Sequence, residues 1–532
     1  MRARRAEDDG LAHGPKPQKV LLLGLDSADA LLIEQWSDAG DLPTLARLRR
    51  EGCWRRLATT AEVMHVSAWP SIYTGTTPGQ HGLYHAYQVR AGDQRIHRTL
   101  PEWCARPPFW KFLDDAGRRC IVMDAFMDAR LPEFKGIQIL EYGTWTWFSE
   151  PGSSRPGLYD EIVKRFGPYP APEHSNQVTI PEQLRFRDQL IRAAAVKSKA
   201  ACWLLAEHPW ELAFVTFGEP HGGGHYLWHS GDPEYPLYPQ GGLPGAPHPL
   251  REVYAAVDAA IGEIVATLDD RTLLMIVSGD GMGPNYSGSH LMPELLHRLG
   301  LFFAPSVGRS QRDGAPAPKR GLAAAVRGMI PLSVRQSVTR CLPRSVRYQL
   351  STKWMNADID WSRTRAFCIP NSNEGYFRVN LRGREPQGIV ADGEDCRQLV
   401  ASLKAELEAL TNPTTDQRPA HAVHIMDATF QGTERQHLPD VVISWDFDAR
   451  VLDRVEGPGC GLVAGKRGYE TPAYYTGNHR PNAFVLGYGA GVASGGPDPE
   501  GGHIVDIAPT IFAALGVDAP AHFEGRALAG FV

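Results

Sequence analysis

Two histidines four residues apart, beside a run of glycines, are the residues in this 532-residue chain whose types and spacing most directly suggest chemistry. In FGEPHGGGHYLWH, residues 217–229, His221, His225 and His229 recur at intervals of four behind an apolar run. Glycine lets the backbone bend close to an ion while two imidazoles converge on it, so His221 and His225 read as metal ligands. Histidines at i and i+4 are also ordinary on a helix surface, but glycines directly at a strand end weigh against that. His229, one step further, reads as a hydrogen-bond donor behind the ligands or as a packing residue.

Three further segments carry polar residues of the same kind. GLDSAD places Asp26 at the tip of a first strand, where a carboxylate either ligates a divalent cation or caps the next helix. VSGDGMGPNYSGSH surrounds Asp280 with glycines at 279, 281 and 283, which leave its carboxylate room to reach a metal, the alternative being a turn aspartate. YYTGNHRPNAFVLGYG sets His479 before a late strand, in a segment whose glycine and proline suit a fixed bend. A histidine there is unremarkable by itself. HVSAWPSIYTGTTPGQHGLYH, residues 65–85, has no ligand spacing but supplies candidate nucleophiles.

These residues need elements to hold them. VLLLGLDS, CIVMD (120–124), LAFVTFGEP (212–220), LLMIVSGDG (273–281), DVVISWD (440–446) and AFVLGYG (483–489) are short apolar runs closing on glycine or acidic residues, each predicted to be a central strand covered on both faces. Between them run helical stripes, Val253, Val257, Ile261, Ile264, Leu268 and Leu399, Leu403, Leu407, Leu410, and a helix is predicted from about Ala28 to Trp36. Alternating strands and helices imply a mostly parallel α/β sheet, in which functional groups gather outside the carboxyl ends of the strands. The histidine and aspartate motifs all sit at such ends.

With 43% hydrophobic and 22% charged residues the chain is globular, and its net charge of −5 singles out neither nucleic acid nor an anionic membrane. No nucleic-acid-binding module is evident. Eight cysteines, scattered singly, read as reduced thiols of a cytoplasmic protein. Residues 1–18 read as a disordered tail, and the apolar run after them is too short for a signal segment or a membrane span. Residues 303–353, with ten Lys or Arg, one acidic residue and five prolines, read as an inserted basic cap or lid. It is either simply solvated or a surface for anionic substrates or lipid headgroups, which makes it the one candidate for membrane contact.

Taken in order, GLDSAD, LPTLARLRREG, SAWPSIYTGTTPGQHGLYH, SGDGMGP, GYFRVNLRGREPQGIV, GNHRP and HIVDIAPTIFAALG resemble the type I phosphodiesterase and nucleotide pyrophosphatase family of the alkaline phosphatase superfamily, from Val20 to about Leu528. The resemblance implies a doubly wound α/β sheet with helices on both faces, residues 19–302 and 354–532 forming the catalytic domain around the 303–353 insertion. It also implies two divalent ions, commonly zinc, and a hydroxyl nucleophile; one or two ions are expected in this chain. Asp26, His225 and His479 match the family's ligand positions. His221 stands where the family has aspartate, and Gly279-Asp280 replaces its Asp-His pair. Nine residues before Thr74, where the family places its Thr or Ser nucleophile, this chain has His65.

His65 is then a compensating ligand or a phosphorylated residue, or Ser67 acts in its place. The metal set to which this leads is Asp26, His65, His221, His225, Asp280 and His479, with His65 and Ser67 as catalytic candidates. Nitrogen-rich ligation favours zinc-like ions over magnesium, and the smaller carboxylate count strengthens anion binding and lets metal-activated water attack directly. The nearest run to a sulfatase CxPxR motif, CLPRS at 341–345, has the wrong spacing. The expected activity is metal-dependent hydrolysis of a small anionic phosphate ester, a diester or pyrophosphate ahead of a monoester. The rival readings are an altered family member acting as a binding protein, and a phosphoryl or headgroup transferase.

Overall fold

Leu21, Leu23 and Leu25 alternate along the first strand with Val20 and Leu22, and every one of them is buried. Alternate side chains of a strand point to opposite faces, so this strand is covered on both. The odd-numbered leucines join a core with Ile33, Trp36, Leu45, Val253, Val257 and Ile261 from flanking helices. The late helix Ile507–Leu515 also lies against the strand. The computed structural model describes residues 16–143, 149–172, 179–239, 242–246, 248–304, 359–446, 448–450, 453–465, 475–493 and 501–531.

The main sheet has eight strands in the order Cys53–Leu57, Ala483–Gly489, Thr272–Ser278, Lys19–Leu25, Leu212–Phe217, Cys120–Met123, Ile137–Leu140, Gly152–Ser153. The five from Thr272–Ser278 to Ile137–Leu140 run parallel, with Leu22 opposite Met275 on one side and Phe214 on the other. Ala483–Gly489 is antiparallel to both its neighbours, and Gly152–Ser153 closes the other edge antiparallel. The architecture is therefore the α/β fold expected, a large, mostly parallel sheet flanked by helices.

The chain divides into two compact units, one formed by Met1–Tyr84, Leu100–Asn285 and Thr471–Val532, the other by His85–Thr99 and Tyr286–Glu470. The eight-stranded sheet belongs to the first. The second holds a four-stranded antiparallel sheet in the order Ala366–Ile369, Gly375–Val379, Val441–Trp445, Ala420–Ile425, with the helix Glu394–Glu408. DVVISWD, predicted as a central covered strand, is an inner strand of this second, antiparallel sheet and not of the main one. An apolar run buried on both sides has the same composition in either sheet. A buried ion-pair chain fixes the second unit: Arg378 Nε donates to Glu385 at 2.8 Å, and Arg384 bridges Glu385 and Asp440.

Residues 1–15 of the expected tail and 305–353 of the expected cap lie outside the described residues. Among the described residues no helix is long and apolar enough to cross a membrane, and seven cysteines are free of disulfides.

Candidate metal centre

Three adjacent parallel strands deliver the polar residues to one place. Thr272–Ser278 leads to Asp280, Lys19–Leu25 to Asp26, and Leu212–Phe217 to the helix Glu219–Gly231, which carries His221 and His225. Asp26 extends the pairing by one step, its amide donating to the Phe217 carbonyl at 2.9 Å. Ser27 then takes a left-handed conformation, φ 52°, and turns the chain toward the helix Ala30–Asp38. Asp29, not Asp26, caps that helix: its Oδ1 accepts from the Leu31 and Leu32 amides. Burial pushes the Asp29 carboxyl up, against the opposing hydrogen bonds from Asn482 and the two amides. The capping alternative for Asp26 thus falls to its neighbour, and Asp26 faces the histidines.

His221, His225 and His479 each bring one ligand atom within 4.8 Å of the others. His225 and His479 are buried and His221 is nearly so. His221 Nδ1 lies 2.8 Å from Asp26 Oδ2, His479 Nδ1 2.6 Å from Asp280 Oδ2, and His225 Nδ1 3.0 Å from the Gly477 carbonyl. The second Asp26 oxygen accepts from Trp69 Nε1 at 2.7 Å, and Ser27 Oγ stands 3.3 Å from His479 Nδ1. Three convergent imidazoles, two of them buried, suit a divalent cation.

Two local structures differ from expectation. The glycine run 222–224 is not a bend; it lies inside the helix Glu219–Gly231, where its role is close approach. A Cβ on Gly224 would meet Met282 at 2.7 Å and one on Gly223 would meet Leu250 at 2.9 Å. His479 sits not in a loop but in the strand Gly477–Arg480, antiparallel to Gly281–Pro284 with Met282 opposite His479. That ladder carries Asp280, two residues before Met282, to the His479 ring.

His65 starts a short 3-10 turn and stacks on His479, ring centroids 4.1 Å apart and planes 22° apart. Ser67 is fully buried, its hydroxyl 2.5 Å from the Met64 carbonyl and 2.7 Å from Thr60 Oγ1. It is aimed into the protein. His229 lies behind the cluster, its Nδ1 2.9 Å from Thr476 Oγ1, and burial holds it down at about 4, a neutral packing residue at physiological pH. The structure thus gathers Asp26, His65, His221, His225, Asp280 and His479, and leaves the Ser67 hydroxyl and His229 out.

The loop after the strand Cys120–Met123 adds Phe126, whose ring centroid lies 6.5 Å from that of His221. Two residues on, Asp128 is buried, and desolvation pushes its carboxyl up to about 8 despite hydrogen bonds from Gln138 and the Ala129 amide. A carboxyl whose folded value exceeds its unfolded value stabilises fully below pH ~4, and that stabilisation is lost as pH rises toward 8. Asp128→Asn, which stays neutral, is expected to flatten the fall in melting temperature between pH 5 and 9. Parallel pH profiles for the two proteins would reject this account.

Trp69, Tyr475 and the Gly477 carbonyl are site residues that the sequence does not reveal. Tyr475 stacks on His225 at 4.1 Å and 16°. Trp69 and Tyr475 stand inside motifs noticed for other residues, and nothing in their spacing tells a ring that fixes a ligand from one that fills the core.

A model of the type I phosphodiesterase / nucleotide pyrophosphatase family matches residues 20–470. Among solved structures, phosphonoacetate hydrolase from Sinorhizobium meliloti 1021, in complex with phosphonoformate, is similar at a TM-score of 0.50 and 13% identity, covering 96% of this chain and 99% of that one. Murine ectonucleotide pyrophosphatase/phosphodiesterase 5, in complex with AMP, is similar at a TM-score of 0.44 and 14% identity, covering 95% and 96%. The first likeness shows a shared fold. No curated protein matches the chain.

Proposed function

As a member of the type I phosphodiesterase / nucleotide pyrophosphatase family, this chain is a metal-dependent phosphoric ester hydrolase, and we propose that it cleaves a phosphodiester or pyrophosphate bond at the His221, His225 and His479 cluster. The single observation that carries the site assignment is the convergence of those three imidazoles at the carboxyl ends of adjacent parallel strands. A bound divalent ion, zinc being the best fit to nitrogen donors, polarises phosphoryl oxygens and acidifies water.

The protein's own groups do the rest. The imidazoles are uncharged ligands, so an ion held by them keeps its charge for an anionic substrate. Phe126, Trp69 and Tyr475 wall the cluster with apolar surface, which strengthens electrostatic contacts inside it. Ser67, turned toward Met64 and Thr60, has no hydroxyl to offer a phosphorus atom, which leaves metal-activated water, ahead of the His65 ring, as the attacking group. The singly scattered cysteines support the further reading that the protein is cytoplasmic.

The decisive experiment joins metal analysis to a panel of aryl phosphate monoesters, diesters, phosphonates and sulfates. Diester turnover is expected to vanish with chelator and return with zinc. A protein without metal and without turnover under any added ion would leave only a binding role. Ser67→Ala is expected to keep kcat/KM within about threefold, a change of under ~1 kcal/mol in transition-state stabilisation. A loss of roughly a thousandfold with metal retained would make Ser67 the nucleophile.

A further inference from the structure

We propose that the site holds a single cation on His221, His225 and His479, with Asp26 and Asp280 acting as positioning residues for the imidazoles and not as ligands. This rests on the hydrolase reading above and departs from the two-ion arrangement that the sequence resemblance implies.

Tautomers carry the first step. A backbone carbonyl only accepts, so His225 Nδ1, 3.0 Å from the Gly477 oxygen, bears the proton and places the ring's lone pair on Nε2. An ionised carboxylate also only accepts. Asp26 Oδ2 at 2.8 Å and Asp280 Oδ2 at 2.6 Å therefore fix the same tautomer on His221 and His479. All three rings are held by the same nitrogen, and all three present the other. A carboxylate or carbonyl behind each ligating imidazole fixes its orientation and raises its basicity.

Burial and grouping carry the second. Asp26 spends its remaining oxygen on Trp69 Nε1, 2.7 Å away. Among the described residues the group whose ligand atoms lie mutually within 4.8 Å is the three histidines, without either carboxylate. Gly279 stands where the resemblance places an aspartate, and a Cβ there would meet that of Ala68 at 2.7 Å. Any side chain at 279 would be forced against the helix Ala68–Thr74.

His65 is excluded from the same ion by its stacking. A cation lies close to the plane of the imidazole that ligates it. Rings 4.1 Å apart and 22° from parallel have planes that do not meet within ligand reach, so His65 and His479 cannot both point at one ion. Three protein ligands also leave a divalent cation a fourth position for substrate.

The test is zinc titration of the chelator-stripped full chain by calorimetry, with competition against a chromophoric chelator. One ion per chain is expected. Asp26→Asn and Asp280→Asn should each weaken affinity by about 10- to 100-fold with the stoichiometry unchanged. His65→Ala should keep the ion, whereas His225→Ala should lose it. Melting curves of the metal-free variants verify folding, and the stoichiometry of the unaltered protein decides the question even if a variant fails to fold. Two ions per chain, or a carboxylate variant that sheds one ion and keeps another, would overturn the single-ion site and leave the hydrolase reading intact. No ion at all would overturn both.

Discussion

His479→Ala is expected to strip the metal from the purified protein and to lower kcat/KM for a phosphodiester by roughly a thousandfold or more, a loss of about 4 kcal/mol in transition-state stabilisation. The size follows from where the ring sits. Its centroid lies 5.1 Å from that of His221 and 5.0 Å from that of His225, so the ring completes the three-sided cluster of ligands. The same ring is the 2.6 Å partner of Asp280 and the surface on which His65 stacks. Alanine therefore removes a ligand, takes from a buried carboxylate its 2.6 Å partner and opens a space beside His65. Two neutral imidazoles hold a divalent ion far more weakly than three. Metal-to-protein ratios and steady-state kinetics on the same preparation would check this. More than a tenth of the activity surviving with metal bound would place the ion elsewhere.

The strands that end at the site were legible because their signal is local. VLLLGLDS, LAFVTFGEP and LLMIVSGDG are apolar runs that stop at glycine or acid, and each is a central parallel strand with its polar residue at the carboxyl end. Partnership at longer range was not legible. Asp26 and His221 are 195 residues apart and Asp280 and His479 are 199 apart, and no composition or period tells a carboxylate that meets a cation from one that meets an imidazole. Local signals also misled where two structures share one composition. Gly222, Gly223 and Gly224 suggested a bend because glycine is poor in helices, yet here tertiary packing overrides propensity and the three continue a helix. Gly477 and Pro481 suggested a loop around His479, yet the residues between them pair with Gly281–Pro284.

That pairing makes Gly477→Ala the most informative change away from the histidines themselves. A Cβ at 477 would lie 2.1 Å from the Gly224 carbonyl oxygen and 3.1 Å from Trp228 Cβ. The first obstacle is the backbone of the helix Glu219–Gly231, which cannot turn aside as a side chain can. Strand and helix touch at this point because neither carries a side chain there. The Thr476 amide donates to the His225 carbonyl at 2.8 Å, and the Gly477 carbonyl accepts from His225 Nδ1, so the contact that alanine would wedge apart is the one that aims His225. Overpacking of this kind costs roughly 1–3 kcal/mol, and a clash with backbone belongs at the upper end. A lowered denaturation midpoint is therefore expected together with at least tenfold weaker zinc binding, the latter because the His225 ring loses its fixed acceptor. Gly224→Ala makes the comparison sharp. Its Cβ would meet Met282 Cγ and Cε, atoms of an unbranched side chain that can shift to other rotamers, so its effect on both quantities should be smaller. Equal losses in the two variants, or a Gly477→Ala protein with unaltered stability and affinity, would mean that close approach of helix to strand is not what brings His225 to His479.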